Sequence, residues 1–342
     1  MASKRRLFST FRSLQHDNPL GLPRSGTPPS FPRRRGLPEK RKIRDVKKVI
    51  AVSSAKGGVG KSTIAVNLAL SFARRGIRTG ILDTDIFGPS IPTLLNLSGE
   101  PRLDDNNCLI PLTNYGLKSM SMGYLLPQPE PSPSSPSTTP HESGRLPMDT
   151  TPISWRGLMV TKAMHQLLHS VSWGPLDVLF LDLPPGTGDV QLTINQEIVL
   201  DGAVIVTTPQ DIALRDAVRG FGMFQRMDVP VLGMVRNMAF FACPECGHQT
   251  KIFSHGLHQH DHGNGNGDGK GGEREGDWGV LAECKRHGIE LLGDIPLDAR
   301  VCEDADRGVP TVVAEERDGK SARKEAFVGI AEKVAKKVGI EW

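Results

Sequence analysis

"KVIAVSSAKGGVGKSTIAVNLALSFARRG", residues 48–76, decides the fold. Its start, "KVIAVSS", is an apolar run of the kind found in a strand buried on both faces. Its end, "STIAVNLALSFARRG", reads as a helix. Between them, Gly57, Gly58 and Gly60 let the backbone turn so tightly that several N–H groups can face one phosphate chain. Lys61 is placed to reach the β- and γ-phosphates, and the Ser62 hydroxyl suits Mg²⁺. The helix start adds its positive end. The usual pattern, G-x-x-x-x-G-K-[ST], would have glycine at 55, where this chain has Ala55. Lys56 is a second lysine, directly before the glycines. From there it could reach a nucleotide held by a neighbouring subunit.

Outward from this loop, apolar strands alternate with helical patterns. "TGILDTD", "DVLFLDLPPG", "GAVIVTTP", "VPVLGMVRNM" and "IELLGDIP" read as strands. "WRGLMVTKAMHQLLHSV" and "DIALRDAVRGFGMFQRM" read as helices, as does "KEAFVGIAEKVAKKV", with Phe327, Ile330, Val334 and Val338 on one face. Such alternation predicts a doubly wound α/β fold, its mostly parallel sheet covered on both faces. Sites then belong at the carboxyl ends of the strands. Two predicted neighbouring strands end in acids. Asp83 and Asp85 are placed to orient an attacking water or help hold Mg²⁺, and Asp182 sits like a Walker-B aspartate. Asp189, in the loop after the Pro-Pro-Gly turn, is placed to sense a γ-phosphate.

The net charge of +4 hides an asymmetry. Residues 1–48 hold 14 Lys/Arg and 3 Asp/Glu, leaving 28 and 35 for the rest. A basic head can bind nucleic acid. This one is also rich in Ser and Pro, which is the composition of a mitochondrial presequence, and residues 1–40 are read as presequence and basic linker. Residues 41–342 are read as one domain with disordered insertions at about 127–150 and 254–277. The second insertion carries His255, His258, His260 and His262 among glycines, and is read as a solvated loop. No run of 18 apolar residues exists to span a membrane. Five scattered cysteines form no disulfide framework.

Cys243 and Cys246, in "FFACPECGHQT" (residues 240–250), are spaced to grip one metal centre. A closed zinc or iron–sulfur site usually needs four protein ligands. A zinc ribbon needs a second close pair, which the chain lacks. A thioredoxin-like pair would follow a first strand, not a late one. A bare structural turn stays open. So does a pair donated to a two-fold dimer, where two thiolates from each chain make four and suit a [4Fe–4S] cluster.

Taken together, "KGGVGKST", "DTDIFGPSIPTLL", "MSMGYLL", "WRGLMV", "DLPPGTGDVQLT", "GAVIVTTPQDIALRDA", "VPVLGMVRNM" and "CPEC" resemble, in order, the Mrp family of iron–sulfur carrier ATPases. These belong to the deviant Walker A class of P-loop NTPases. The likeness runs from residue 48 to about 313, apart from the two insertions. "RGLPEKRKIRDVKKVIAVSSAKGGVGKST" and "WRGLMV" look most like its mitochondrial, NUBPL-type branch, which assists complex I assembly. The resemblance implies that Lys56 contacts nucleotide across a dimer and that Lys56, Gly57, Gly58, Val59, Gly60, Lys61, Ser62 and Thr63 cradle ATP. It implies Asp85 as the switch-I carboxylate, Asp182 and Asp189 as the Walker-B and switch-II carboxylates, and Asn237 as a partner of adenine. It makes Cys243 and Cys246 ligands of a [4Fe–4S] cluster shared across a homodimer. It further implies slow ATP hydrolysis with Mg²⁺, a mitochondrial matrix location, delivery to apo iron–sulfur proteins such as complex I subunits, and no nucleic acid. Peripheral association with the inner mitochondrial membrane is open to such a protein. The rival readings are a partitioning or positioning ATPase without a cluster, and a non-enzymatic scaffold.

Overall fold

The computed structural model describes residues 40–86, 88–125, 157–243, 246, 248–253, 279–314 and 322–342; for 157–161 and 189 it describes backbone alone. Residues 1–39 and the insertions expected at 127–150 and 254–277 lie outside the described residues.

Strand β1 (Val46–Ser53) leads through the glycine loop into α1 (Lys61–Arg74) and on to β2 (Thr79–Asp83). The short α2 (Ile91–Leu94) precedes the pair β3 (Leu112–Asn114) and β4 (Leu117–Ser121). Then come α3 (Gly157–His169), β5 (Leu176–Asp182), α4 (Asp189–Glu197), β6 (Gly202–Thr207), α5 (Asp211–Arg226) and β7 (Val231–Arg236). Two-residue strands β8 (Phe241–Ala242) and β9 (Gln249–Thr250) follow. The chain continues through α6 (Val280–His287), β10 (Leu291–Asp294), α7 (Ala299–Asp306), α8 (Thr311–Ala314) and α9 (Ala322–Val338).

Among the described residues, eight strands form one sheet in the order β10-β7-β6-β1-β5-β2-β4-β3. All its pairings are parallel except β3 with β4. The continuous apolar run of β1 follows from burial on both sides. Ile50 and Val52 pack with α1 and α9, whereas Val49 and Ala51 pack with α3, α4 and α5. Phe327, Ile330, Val334 and Val338 all lie on the buried face of α9. Full burial of Phe327 alone stabilises by about 1.5–3 kcal/mol. Val52 and Asp83 both stand opposite Asp182, so β1, β2 and β5 end level with one another. That common edge carries the glycine loop.

Several elements depart from the sequence reading, β3, β4 and α4 among them. The edge strands β3 and β4 were not expected, because "LTN" and "LKSMS" are short and mix apolar with small polar residues. Asp189 was expected in a loop, but it opens helix α4 after Gly188.

Candidate functional site

At the end of β1 the backbone turns through Gly58 (φ 78°) and Gly60 (φ 81°), both in the left-handed region. Gly60 has a second reason to be glycine: a Cβ there would lie 2.3 Å from Asn237 Nδ2. Asn237 stands just past β7 and donates from Nδ2 to the Val59 carbonyl at 2.8 Å. Its backbone N–H donates to the Thr207 carbonyl at the end of β6, also at 2.8 Å. The loop is thus tied to the edge of the sheet. Asn237, expected as an adenine partner, uses Nδ2 to hold the phosphate loop.

Lys61 begins α1, and its ammonium donates to Asp182 Oδ1 at 2.5 Å. The side chains are 7% and 0% exposed, so this is a buried ion pair. Lys61 also donates to the Ser62 hydroxyl at 3.3 Å. The other carboxylate oxygen of Asp182 is buried and has no hydrogen-bond partner among the described residues. A buried charged oxygen without a partner is costly. A hydroxyl and a carboxylate oxygen form the hard donor set that Mg²⁺ prefers, directly or through its waters, so these residues fit that ion. The turn at Pro184–Gly186 is joined to the loop by Gly186 N–H donating to the Ser54 carbonyl at 3.0 Å.

The two acids after β2 have different surroundings. Asp83 is 1% exposed. It accepts from the backbone N–H of Asp85 (3.0 Å) and of Ile91 (3.3 Å) and from the Ser121 hydroxyl (3.0 Å). Burial first, and the nearby Asp182 second, push its pKa up to about 7, against the pull of Lys61. Asp83 is therefore spent on folding the loop that carries Asp85, which itself is half-buried. Sequence reasoning missed this use of Asp83, since Ser121 sits 38 residues away on the unexpected strand β4. Lys56 is half-buried, accepts the Ser54 hydroxyl on its carbonyl, and has no ion-pair partner among the described residues. Thr63 and Ser62 are half-buried on the first turn of α1, and Gly57 is exposed. Asp189 is described by backbone alone.

Six residues beyond Asn237, Cys243 follows β8, which pairs antiparallel with β9. Cys243 N–H donates to the His248 carbonyl at 2.9 Å, so both cysteines fall in the loop of this small hairpin. Cys243 is half-buried and Cys246 exposed. Among the described residues neither joins a group of three or more potential metal ligands. Cys284 is buried in α6 and Cys302 exposed on α7.

A glycine loop between the first strand and helix of a parallel sheet, with a lysine paired to an aspartate on the neighbouring strand, is the architecture of the P-loop NTPases. The chain belongs to the NUBPL iron-transfer P-loop NTPase family, which it matches over residues 45–133 and 143–265. The gap between the two matches falls inside the first predicted insertion. The mouse protein named iron–sulfur cluster transfer protein NUBPL is 43% identical over 306 residues, 89% of this chain and 82% of that one. An Arabidopsis thaliana protein, named iron–sulfur protein required for NADH dehydrogenase, mitochondrial, is 40% identical over 80% of this chain and 74% of its own length. Among solved structures, a nucleotide-binding protein of Archaeoglobus fulgidus in complex with ADP aligns with a TM-score of 0.61 at 31% identity, covering 84% of this chain and 94% of the other.

Proposed function

We propose that this protein is an ATP-dependent carrier that binds a [4Fe–4S] cluster between two copies of itself and passes it to apo-proteins. One observation carries the reading: the cysteine hairpin and the phosphate loop are joined through Asn237, whose side chain grips Val59 six residues before Cys243. Each chain offers one cysteine pair, and a two-fold axis would complete the set of four thiolates.

In this reading the loop N–H groups and Lys61 hold the β- and γ-phosphates of ATP. Lys61 rests on Asp182 and turns to the phosphates on binding. Ser62, and Asp182 through water, would hold Mg²⁺, which would supply neutralising charge at the phosphates. Asp85 orients the attacking water, and Asp189, the first residue of α4, senses the γ-phosphate. Lys56, which has no ion-pair partner among the described residues, reaches the nucleotide of the partner. Hydrolysis in this reading is slow, and its chemistry is positioning by the loop and Mg²⁺. Exposure of Cys246 suits a cluster that is handed on.

The Arabidopsis relative's name supports a role in complex I assembly. Together with the acid-poor head, it supports a place in the mitochondrial matrix, with residues 1–40 as presequence. The peripheral membrane contact is proposed on the same footing. Anaerobic reconstitution with iron and sulfide, followed by iron analysis and mass measurement, tests the core of the proposal. The wild type is expected to give a dimer with about four irons, and Cys243→Ala a monomer without them. A monomer holding zinc, or a dimer keeping its irons without Cys243, overturns it.

A further inference from the structure

Far from the cysteine hairpin in sequence, helices α3 and α4 end beside one another. His165 and His169 lie one turn apart on the last turns of α3, with ring centroids 4.6 Å apart. Glu197 is the last residue of α4. His165 Nδ1 is 3.3 Å and His169 Nε2 is 3.5 Å from the same oxygen, Glu197 Oε2. One donor atom from each residue lies within 4.8 Å of the others. As hydrogen bonds these separations are long, since N–H···O contacts cluster near 2.9–3.0 Å. As edges of a coordination tetrahedron they fit: metal bonds of about 2.0–2.1 Å place neighbouring ligands roughly 3.3–3.4 Å apart.

From this juxtaposition we infer a second metal site, His165–His169–Glu197, that takes a first-row divalent ion such as Zn²⁺ with solvent completing the coordination. Two imidazoles and one carboxylate are a donor set that such ions favour over Mg²⁺ or Ca²⁺. His169 and Glu197 each end a helix, and the carbonyl-rich ends of both helices favour a cation there. Burial, then the neighbouring His165, lower the pKa of His169, against the pull of Glu197. Arg41 also acts on His169 with its positive charge and opposes a dication, leaving the three ligands and the helix ends to hold it. His165 is open to solvent, so an ion has a way in. Because α4 begins at Asp189, the ion would pin to α3 the far end of the helix that, in the proposed function, opens at the nucleotide-sensing residue.

The test compares two full-length chains, both carrying Cys243→Ala and Cys246→Ala to silence the thiolates, one also carrying His165→Ala and His169→Ala. The histidines at 255, 258, 260 and 262 are present in both and cancel. Equilibrium dialysis against Zn²⁺ is expected to show about one ion per chain more in the chain with both histidines. Zn²⁺ should also raise its Tm and leave the Tm of the other unchanged. Glu197→Gln alone should weaken that ion at least about tenfold, since even outer partners of metal sites are worth that much. Equal stoichiometry and equal Tm shifts in the two chains overturn the site. Should the histidine variant fold poorly, unchanged Zn²⁺ affinity in Glu197→Gln overturns it instead.

Discussion

The phosphate loop and the cysteine hairpin are two ends of one connection, built in opposite ways. The loop lies over the sheet edge, with Lys61 and Asp182 almost wholly buried and Val59 clamped by Asn237. The hairpin rests on two strands of two residues each, with Cys246 exposed. Burial makes the first site rigid within a single chain. The second has only shallow pairing, and in the proposed reading it is completed by the same hairpin of a partner. A site completed by symmetry needs no core of its own.

The sharpest break between the two regions should come from Lys61→Ala. It leaves Asp182 charged and buried without its partner, at a cost of ~3–5 kcal/mol. Denaturant unfolding should show a much lower midpoint, and an unchanged midpoint would contradict the buried pair. Next comes a pH effect confined to the loop side. The Asp83 pKa rises on folding from 3.8 to about 7, so the folded state holds the proton more tightly. Its contribution to stability is full below about pH 4 and is lost as pH rises to about 7. Asp83→Asn should flatten that part of the stability profile, and a profile that keeps its slope would assign it to another group. Asn237→Ala should follow, costing about 1 kcal/mol for the lost hydrogen bond and loosening ADP as the loop frees. Smallest of all, Cys246→Ser should shift the stability of the cluster-free chain by no more than about 0.5 kcal/mol in the same unfolding assay. A large loss there would mean that the hairpin is structural.

The order of these effects follows what the sequence could and could not convey. Strand β1, the loop and α1 are contiguous, so apolar run, glycines and helical pattern reinforce one another within 29 residues. The pairing of Lys61 with Asp182 was legible only as a motif, because 121 residues separate them and the parallel register brings them together. By position alone Asp83 and Asp85 were alike, and only the family resemblance favoured Asp85. Only the Ser121 hydroxyl, on a strand too short and polar to recognise, shows that Asp83 belongs to the scaffold. Strands β8 and β9 are too short for any alternation to register, so the hairpin was readable from its cysteines alone. His165 and His169 show helical spacing, but Glu197 joins them through tertiary packing of α3 against α4.

The central claim is that nucleotide and cluster act on one another across two chains, and Lys56 is the residue that would carry it. Lys56 has no ion-pair partner among the described residues of its own chain, so its loss should leave the fold intact. The decisive measurement is the rate at which reconstituted protein gives its cluster to an apo iron–sulfur acceptor, with and without ATP, for wild type and Lys56→Ala. The account predicts that ATP changes the wild-type rate severalfold and leaves the Lys56→Ala rate where it was. An equal response to ATP in both proteins would contradict it.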